Sequence, residues 1–268
     1  MIKTLLLVAA LYGIVVLLAW LVSDRMIFLP PPASYDERQL PIVRVNTDDG
    51  NAVAVLHLPN PDATFTLLFS HGNAEDLGYL APFLMELRDA GFAVLAYDYR
   101  GYGLSTGGLP STAGSYRDER AVYQYATQTL KIPTARIILH GRSVGSGPAV
   151  DLATREAVGG LIVESGFVSV YRVLTRWPLL AFDKFPNLKN IRKVRCPVLV
   201  IHGRQDEIIP FWHGQKLFAA APDPKRALWV DEAGHNDLAA VAWDQYVQAL
   251  QDFAQTVAGP KNRPATPQ

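Results

Sequence analysis

The chain has 268 residues, 49% of them hydrophobic, with 25 Lys and Arg against 25 Asp and Glu. That length allows one large domain or two small ones, and the apolar content suffices for a sizeable core. Neutral charge and the lack of a basic stripe with interleaved aromatics speak against a nucleic-acid partner, and a lone cysteine, Cys196, excludes an internal disulfide framework.

In chain order, the first element is "TLLLVAALYGIVVLLAWLV" (4–22), a charge-free run long enough to cross a bilayer as a helix. A secretory signal peptide has a shorter apolar region and a small-residue cleavage site; here Trp20-Leu21-Val22-Ser23-Asp24-Arg25 follows without one. Residues 1–25 are therefore expected to be a retained single-pass anchor. Lys3 and the terminal amine favour a cytoplasmic N-terminus and a globular domain outside the cytoplasm, although Arg25 flanks the other end. "PPPAS" (30–34) marks a stiff spacer within a linker over 26–39.

The body, 40–258, alternates strand-length apolar runs with amphipathic stretches. Strands are expected at 52–58, 65–70, 92–97, 136–140, 161–164, 197–202 and 227–230, and helices near 76–90, 115–130, 144–156, 213–221 and 236–257. Most of the strand runs are continuously apolar, as in a sheet covered on both faces. The class is α/β, a mostly parallel, doubly wound sheet with flanking helices. Residues 165–195, rich in Phe, Trp, Tyr and Leu, interrupt this rhythm and are expected to form a small cap-like insertion. Cys196 lies at a strand entrance and is read as a buried, inert thiol. The tail "GPKNRPATPQ" (259–268) is polar, Pro-rich and expected to be disordered.

Two stretches fit G-x-S-x-G, "GLSTG" (103–107) and "GRSVG" (141–145), a pattern a chain this long carries by accident about 0.1 times. It marks the nucleophile elbow, a tight strand-to-helix turn that presents a serine hydroxyl above a sheet. Ser143 has that setting, after the strand "ARIILH" and before the helix-like "VGSGPAVDLATRE". Ser105 runs on through "GLPSTAGS" and reads as a surface loop.

A serine hydroxyl needs a base, and the base needs an orienting acid; in this fold the order is Ser, acid, His. Asp206 follows the strand of "VLVIHGRQDEIIP", and His235 lies in "WVDEAGHND", so all three candidates sit at C-terminal strand ends, where open α/β sheets hold their sites. Glu164 and Glu207 are alternative acids. His71, His140 and His202 are assigned to bracing turns, and His57 and His213 to structural or exposed places. Oxyanion donors are expected from the backbone N–H of Val144 and, through the loop "HGNAED", of Asn73. Tyr171, Trp177, Leu180 and Phe182 are candidates for an acyl-binding surface, with core packing as the competing role. No metal-ligand spacing appears, and neither a dinucleotide fingerprint nor a P-loop is present.

Over 40–258 the chain resembles the α/β-hydrolase superfamily. "SHGNAEDLG", "YDYRGYGLSTG", "HGRSVGSGPAVDLA", "FDKFPNL" and "CPVLVIHGRQDEIIPFWHG" are similar to a membrane-associated branch whose eukaryotic members include protein depalmitoylases. The resemblance implies Ser143 as nucleophile, Asp206 as acid and His235 as base, and gives "DYRGYG" (98–103) a structural role. It also implies hydrolysis of an ester or acyl thioester, of a lipid or a lipidated protein, without a cofactor. Those eukaryotic members attach through a Cys-rich, lipidated N-terminus, which a hydrophobic helix replaces here. A serine peptidase of the same fold, or an inactive hydrolase-fold binding module, are the alternatives; all three triad positions carry competent residue types.

Overall fold

The computed structural model describes residues 1–180 and 182–259; most of the tail expected to be disordered lies outside the described residues. An N-terminal helix, α1 (Ile2–Ile27), precedes β1 (Ile42–Asn46), β2 (Ala52–Leu58) and β3 (Thr66–Ser70). Then come α2 (Leu77–Asp89), β4 (Ala93–Tyr97), α3 (Thr112–Gln124), β5 (Ile137–Arg142), α4 (Ser146–Arg155) and β6 (Gly160–Glu164). The remainder is α5 (Val170–Leu174), α6 (Asn187–Asn190), β7 (Val198–Gly203), α7 (Trp212–Ala220), β8 (Lys225–Val230), α8 (Leu238–Val241) and α9 (Trp243–Ala258).

The eight strands form one sheet in the order β1-β2-β4-β3-β5-β6-β7-β8. β2 is antiparallel to both β1 and β4, and every other pairing is parallel. β3, β6 and β7 are buried along their whole length, which is why they read as unbroken apolar runs. β1 was not expected from sequence. Its "IVRVN" exposes Val43 and Arg44 at the sheet edge, so it lacks the apolar continuity of the central strands.

Helices cover both faces. Val144, Val150, Phe185 and Leu217 join one core cluster with Phe28; Leu80, Leu84, Tyr246, Leu250 and Phe253 join the other. Asp76 caps α2, its side chain accepting from Tyr79 N at 3.0 Å, a contact typically worth about 1 kcal/mol.

α1 is long and apolar enough to cross a membrane, and its apolar window is not buried in the domain. The segment after it is no free spacer. Phe28 is 3% exposed and meets the rings of Tyr99 and Phe185 edge-on, and Tyr35 donates to Asp98 at 2.5 Å. Ser34 hydrogen-bonds Asp76 through both its N–H and its hydroxyl. The residues on either side of the proline run are thus fixed to the domain.

Candidate active site

At the C-terminal end of β5 the chain turns sharply into α4, with Ser143 at the turn. Its φ of +53° lies in the left-handed region, a conformation that costs a side-chain-bearing residue of the order of 1 kcal/mol or more and recurs at functional positions. The turn closes because its neighbours lack side chains. A Cβ on Gly141 would meet Ser146 Cα at 2.7 Å, and one on Gly145 would meet His71 O at 2.8 Å. Ser146 Oγ donates to Ser143 O at 2.6 Å and pins the turn from below.

Three strand ends converge here. His235 Nε2 lies 2.9 Å from Ser143 Oγ, and His235 Nδ1 lies 2.8 Å from Asp206 Oδ2. The other carboxylate oxygen, Asp206 Oδ1, accepts from the N–H groups of Ile208 and Ile209 at 3.0 and 2.7 Å. Burial alone would raise the Asp206 pKa, but hydrogen bonds from His202 and His235, and from the Ile209 N–H, hold it well below the usual carboxylate range. The group therefore stays ionised at neutral pH, and a negative charge fixed at Nδ1 selects the tautomer whose Nε2 accepts.

The other serine does something else. Ser105 Oγ donates to Asp98 O at 2.7 Å and accepts from Ala54 N at 2.8 Å, tying its loop to β2. Glu164 is likewise engaged elsewhere. It accepts from Tyr246 Oη and His140 Nε2, each at 2.7 Å, in a buried cluster beneath the sheet edge. Glu207 is exposed. Of the remaining histidines, His71 Nδ1 lies 2.7 Å from Gly72 O and His202 Nε2 lies 2.8 Å from Ile209 O, both bracing turns. His213 is buried with Nδ1 accepting from Val168 N at 3.1 Å, and His57 is half-buried on β2.

The loop after β3 passes directly over the serine: a Cβ on Gly72 would stand 3.6 Å from Ser143 Cβ. Asn73 follows, and among the described residues its N–H meets no acceptor. Its side chain is occupied. Asn73 Oδ1 accepts from Leu29 N at 2.8 Å, Tyr102 Oη at 2.7 Å and Ala74 N at 2.9 Å. A second support is Glu75, whose Oε2 accepts from Gly72 N at 2.9 Å and whose Oε1 pairs with Arg142, the residue before Ser143. Sequence reasoning did not single out Leu29, Glu75, Tyr102 or Arg142. The one local signal was Arg142, a charge inside "GRSVG" at the end of a buried strand.

A cleft of about 730 Å3 runs beside this loop, lined by Asn73, Tyr79, Phe83, Arg142, Asn236 and Trp243. Tyr171, Trp177, Leu180 and Phe182, candidates for an acyl-binding surface or for core packing, do not line it. Val170 N donates to Lys184 O, closing the segment into an excursion along α1. Tyr171 Oη donates to Ala19 O at 3.2 Å, and its ring meets Phe182 edge-on at 5.4 Å. Phe182 lines a separate groove with Trp20 and Tyr116, Trp177 is 73% exposed, and Leu180 is half-buried.

A mostly parallel eight-stranded sheet with a serine elbow and a serine–histidine–aspartate constellation at its C-terminal edge defines an α/β-hydrolase. An esterase from Pyrococcus furiosus superposes with a TM-score of 0.71 at 18% identity, covering 87% of this chain and 98% of that one. An alpha-beta hydrolase from Vibrio vulnificus gives 0.62 at 23%, covering 78% and 80%. Residues 61–188 match the family described as serine aminopeptidase, S33. Human alpha/beta hydrolase domain-containing protein 17B is 39% identical over 211 residues, 77% of this chain and 72% of that protein. The alpha/beta hydrolase domain-containing protein aho-3 of Caenorhabditis elegans is 42% identical over 204 residues, 73% of this chain but only 59% of its own length. The chain belongs to the family of alpha/beta hydrolase domain-containing protein 17 within the α/β-hydrolases, and it is a serine hydrolase.

Proposed function

We propose that the protein is a membrane-anchored serine hydrolase that cleaves a carboxylic ester or acyl thioester through an acyl-enzyme. One observation carries this reading: Ser143 Oγ stands 2.9 Å from His235 Nε2 while Asp206 holds the opposite ring nitrogen at 2.8 Å. His235 takes the hydroxyl proton as Ser143 attacks the acyl carbon, then returns it to the departing alcohol or thiol. Water deprotonated by His235 next releases the acid and restores Ser143. The backbone N–H groups of Val144 and Asn73 are the donors for the developing oxyanion, each commonly worth about 10²–10³ in rate. No step needs a cofactor.

An acyl substrate in or on a membrane is supported by α1, which is long and apolar enough to span a bilayer, and by the resemblance to a branch that includes depalmitoylases. The substrate enters by the cleft beside Asn73 and Arg142. Lys3 and the terminal amine, set against Arg25 at the other end of the span, support a domain outside the cytoplasm, a sidedness tested by labelling introduced cysteines with a membrane-impermeant thiol reagent. A peptidase is the second reading, favoured by the serine aminopeptidase description of the matching family.

Fluorophosphonate labelling of the wild type, Ser143→Ala and Ser105→Ala tests the nucleophile. Loss of labelling only in Ser143→Ala is expected, and equal labelling in Ser143→Ala and wild type overturns the assignment. Acyl esters, acyl thioesters and aminoacyl peptides matched in chain length then separate the two readings.

A further inference from the structure

The segment that leaves α1 lies along the loop that carries Asn73. Leu29 N donates to Asn73 Oδ1 at 2.8 Å and also lies 3.0 Å from Tyr102 Oη. Further on, Ser34 donates to Asp76 through its N–H and its hydroxyl. Tyr35 donates to Asp98 Oδ2, and the other oxygen of that carboxylate accepts from Leu77 N at 3.0 Å. A Cβ on Gly78 would meet Tyr35 Cβ at 2.7 Å, so this part of the chain lies against the start of α2. Residues 29–35 therefore hold both ends of the stretch 73–77.

The tyrosines of "YDYRGYG" (97–103), to which the triad gives no role, reach the same loop. Tyr99 Oη donates to His71 O at 2.8 Å, and Tyr102 Oη donates to Asn73 Oδ1 at 2.7 Å. Both rings also meet the His71 imidazole, at 4.4 and 5.3 Å between centres. All three side chains are buried. Phe28 completes the set, packing edge-on against Tyr99 at 6.2 Å. The residue directly after α1 is thus in contact with a ring that holds the loop over the serine.

That loop is where small displacements matter. A Cβ on Gly72 would stand 3.6 Å from Ser143 Cβ, and the next N–H is that of Asn73. An oxyanion donor acts by being aimed in advance, and a misplacement of about 1 Å can cost about 10² in rate. Asn73 is fixed through its own side chain, whose oxygen accepts from Leu29 N, Tyr102 Oη and Ala74 N. Pro30, Pro31 and Pro32 join the two attachment points at 29 and 34. A proline backbone is already restricted in the unfolded chain, so less entropy is lost when this segment is ordered.

We infer that residues 28–35 are a positioning strap for the oxyanion hole, in which the Leu29 N–H, acting through Asn73 Oδ1, aims the Asn73 N–H at the reacting carbonyl oxygen. This rests on the reading of Asn73 as an oxyanion donor. Because the strap starts at the residue after α1, the geometry of catalysis is coupled to the hydrophobic helix and not to the sheet alone.

Leu29→Pro removes the N–H and little else. The side chain is 55% exposed, and Phe28 has φ −107° and ψ 117°, the extended conformation that a following proline requires. Hydrolysis of a p-nitrophenyl ester and Tm are measured on the full chain for the wild type, Leu29→Pro, Leu29→Ala, Asn73→Ala and the double variant Leu29→Pro/Asn73→Ala. In Leu29→Pro, kcat should fall about tenfold with KM little changed, and Leu29→Ala, which keeps the N–H, should recover most of that rate. Since the strap acts through Asn73, the double variant should be no slower than Asn73→Ala alone. Two losses that multiply, or a wild-type kcat in Leu29→Pro beside a slow Asn73→Ala, overturn the strap and leave the reading of Asn73 standing. A wild-type kcat in both single variants overturns that reading and the strap together.

Discussion

The turns at Ser105 and Ser143 share a sequence pattern, and each follows a strand of the same sheet, yet they differ in every physical respect that matters. At Ser143 a short turn feeds straight into α4, which forces a positive φ and leaves the hydroxyl facing His235. At Ser105 the chain has room to wander before α3, and the hydroxyl saturates itself on Asp98 O and Ala54 N. A hydroxyl whose donor and acceptor capacity is spent on backbone is structural; one held toward an imidazole is available. The difference lies in the residues on either side of the pattern, not in the pattern.

The largest effect expected follows from that contrast. Ser143→Ala should lower kcat for an activated ester by about 10⁴–10⁶-fold with no loss of folded protein. Ser105→Ala should leave kcat within a few-fold and instead cost about 1 kcal/mol of stability, read as an earlier denaturation midpoint. A catalytic loss in Ser105→Ala with Tm unchanged would break the comparison.

The two strand-end acids, Asp206 and Glu164, extend it. Asp206→Asn should lower kcat by about 10⁴, because an amide stabilises the wrong tautomer of His235. Glu164→Gln should spare kcat and lower Tm, since the carboxylate serves the buried His140 and Tyr246. Steady-state kinetics beside thermal melts of the same preparations distinguishes the two.

A third, smaller effect concerns the loop over the serine. Asn73→Ala keeps the backbone N–H but removes the acceptor of Leu29 N and Tyr102 Oη. With the loop less fixed, kcat should fall by about tenfold while KM changes little, the signature of an interaction that matters in the transition state. Asn73→Asp, which keeps the acceptor, should retain more of the rate than alanine.

How much of this was legible in sequence follows from the range of the interactions. Strands such as "LIVE" and "PVLVIH" announce themselves because both their faces are buried. The serine, acid and histidine are found one by one because each ends such a strand. β1 escaped because an edge strand with Arg44 exposed carries no such signal. The clamp on Asn73 escaped because Leu29 lies 44 residues away and contributes only an N–H, a group every residue but proline possesses. The aromatic stretch around Trp177 was visible as composition, but composition does not encode direction, and so an acyl-binding surface and core packing both stayed open.

The smallest effect separates the two kinds of histidine the fold holds. His235 faces Ser143, whereas His213 is a buried residue of α7, its pKa lowered to about 3 by that burial. Its Nδ1 accepts from Val168 N, a bond only the unprotonated nitrogen can make. In the unfolded chain the same side chain protonates near its ordinary value of 6.5. The unfolded state therefore binds the extra proton first, and stability falls as pH drops from about 6.5 toward 3. His213→Asn keeps a side-chain acceptor for Val168 and removes the titration. Its denaturation midpoint should equal or trail that of the wild type at pH 8 and lose less on going to pH 5. Parallel pH profiles for the two proteins would mean that His213 titrates normally in the folded state, and that the acid limb belongs to other groups.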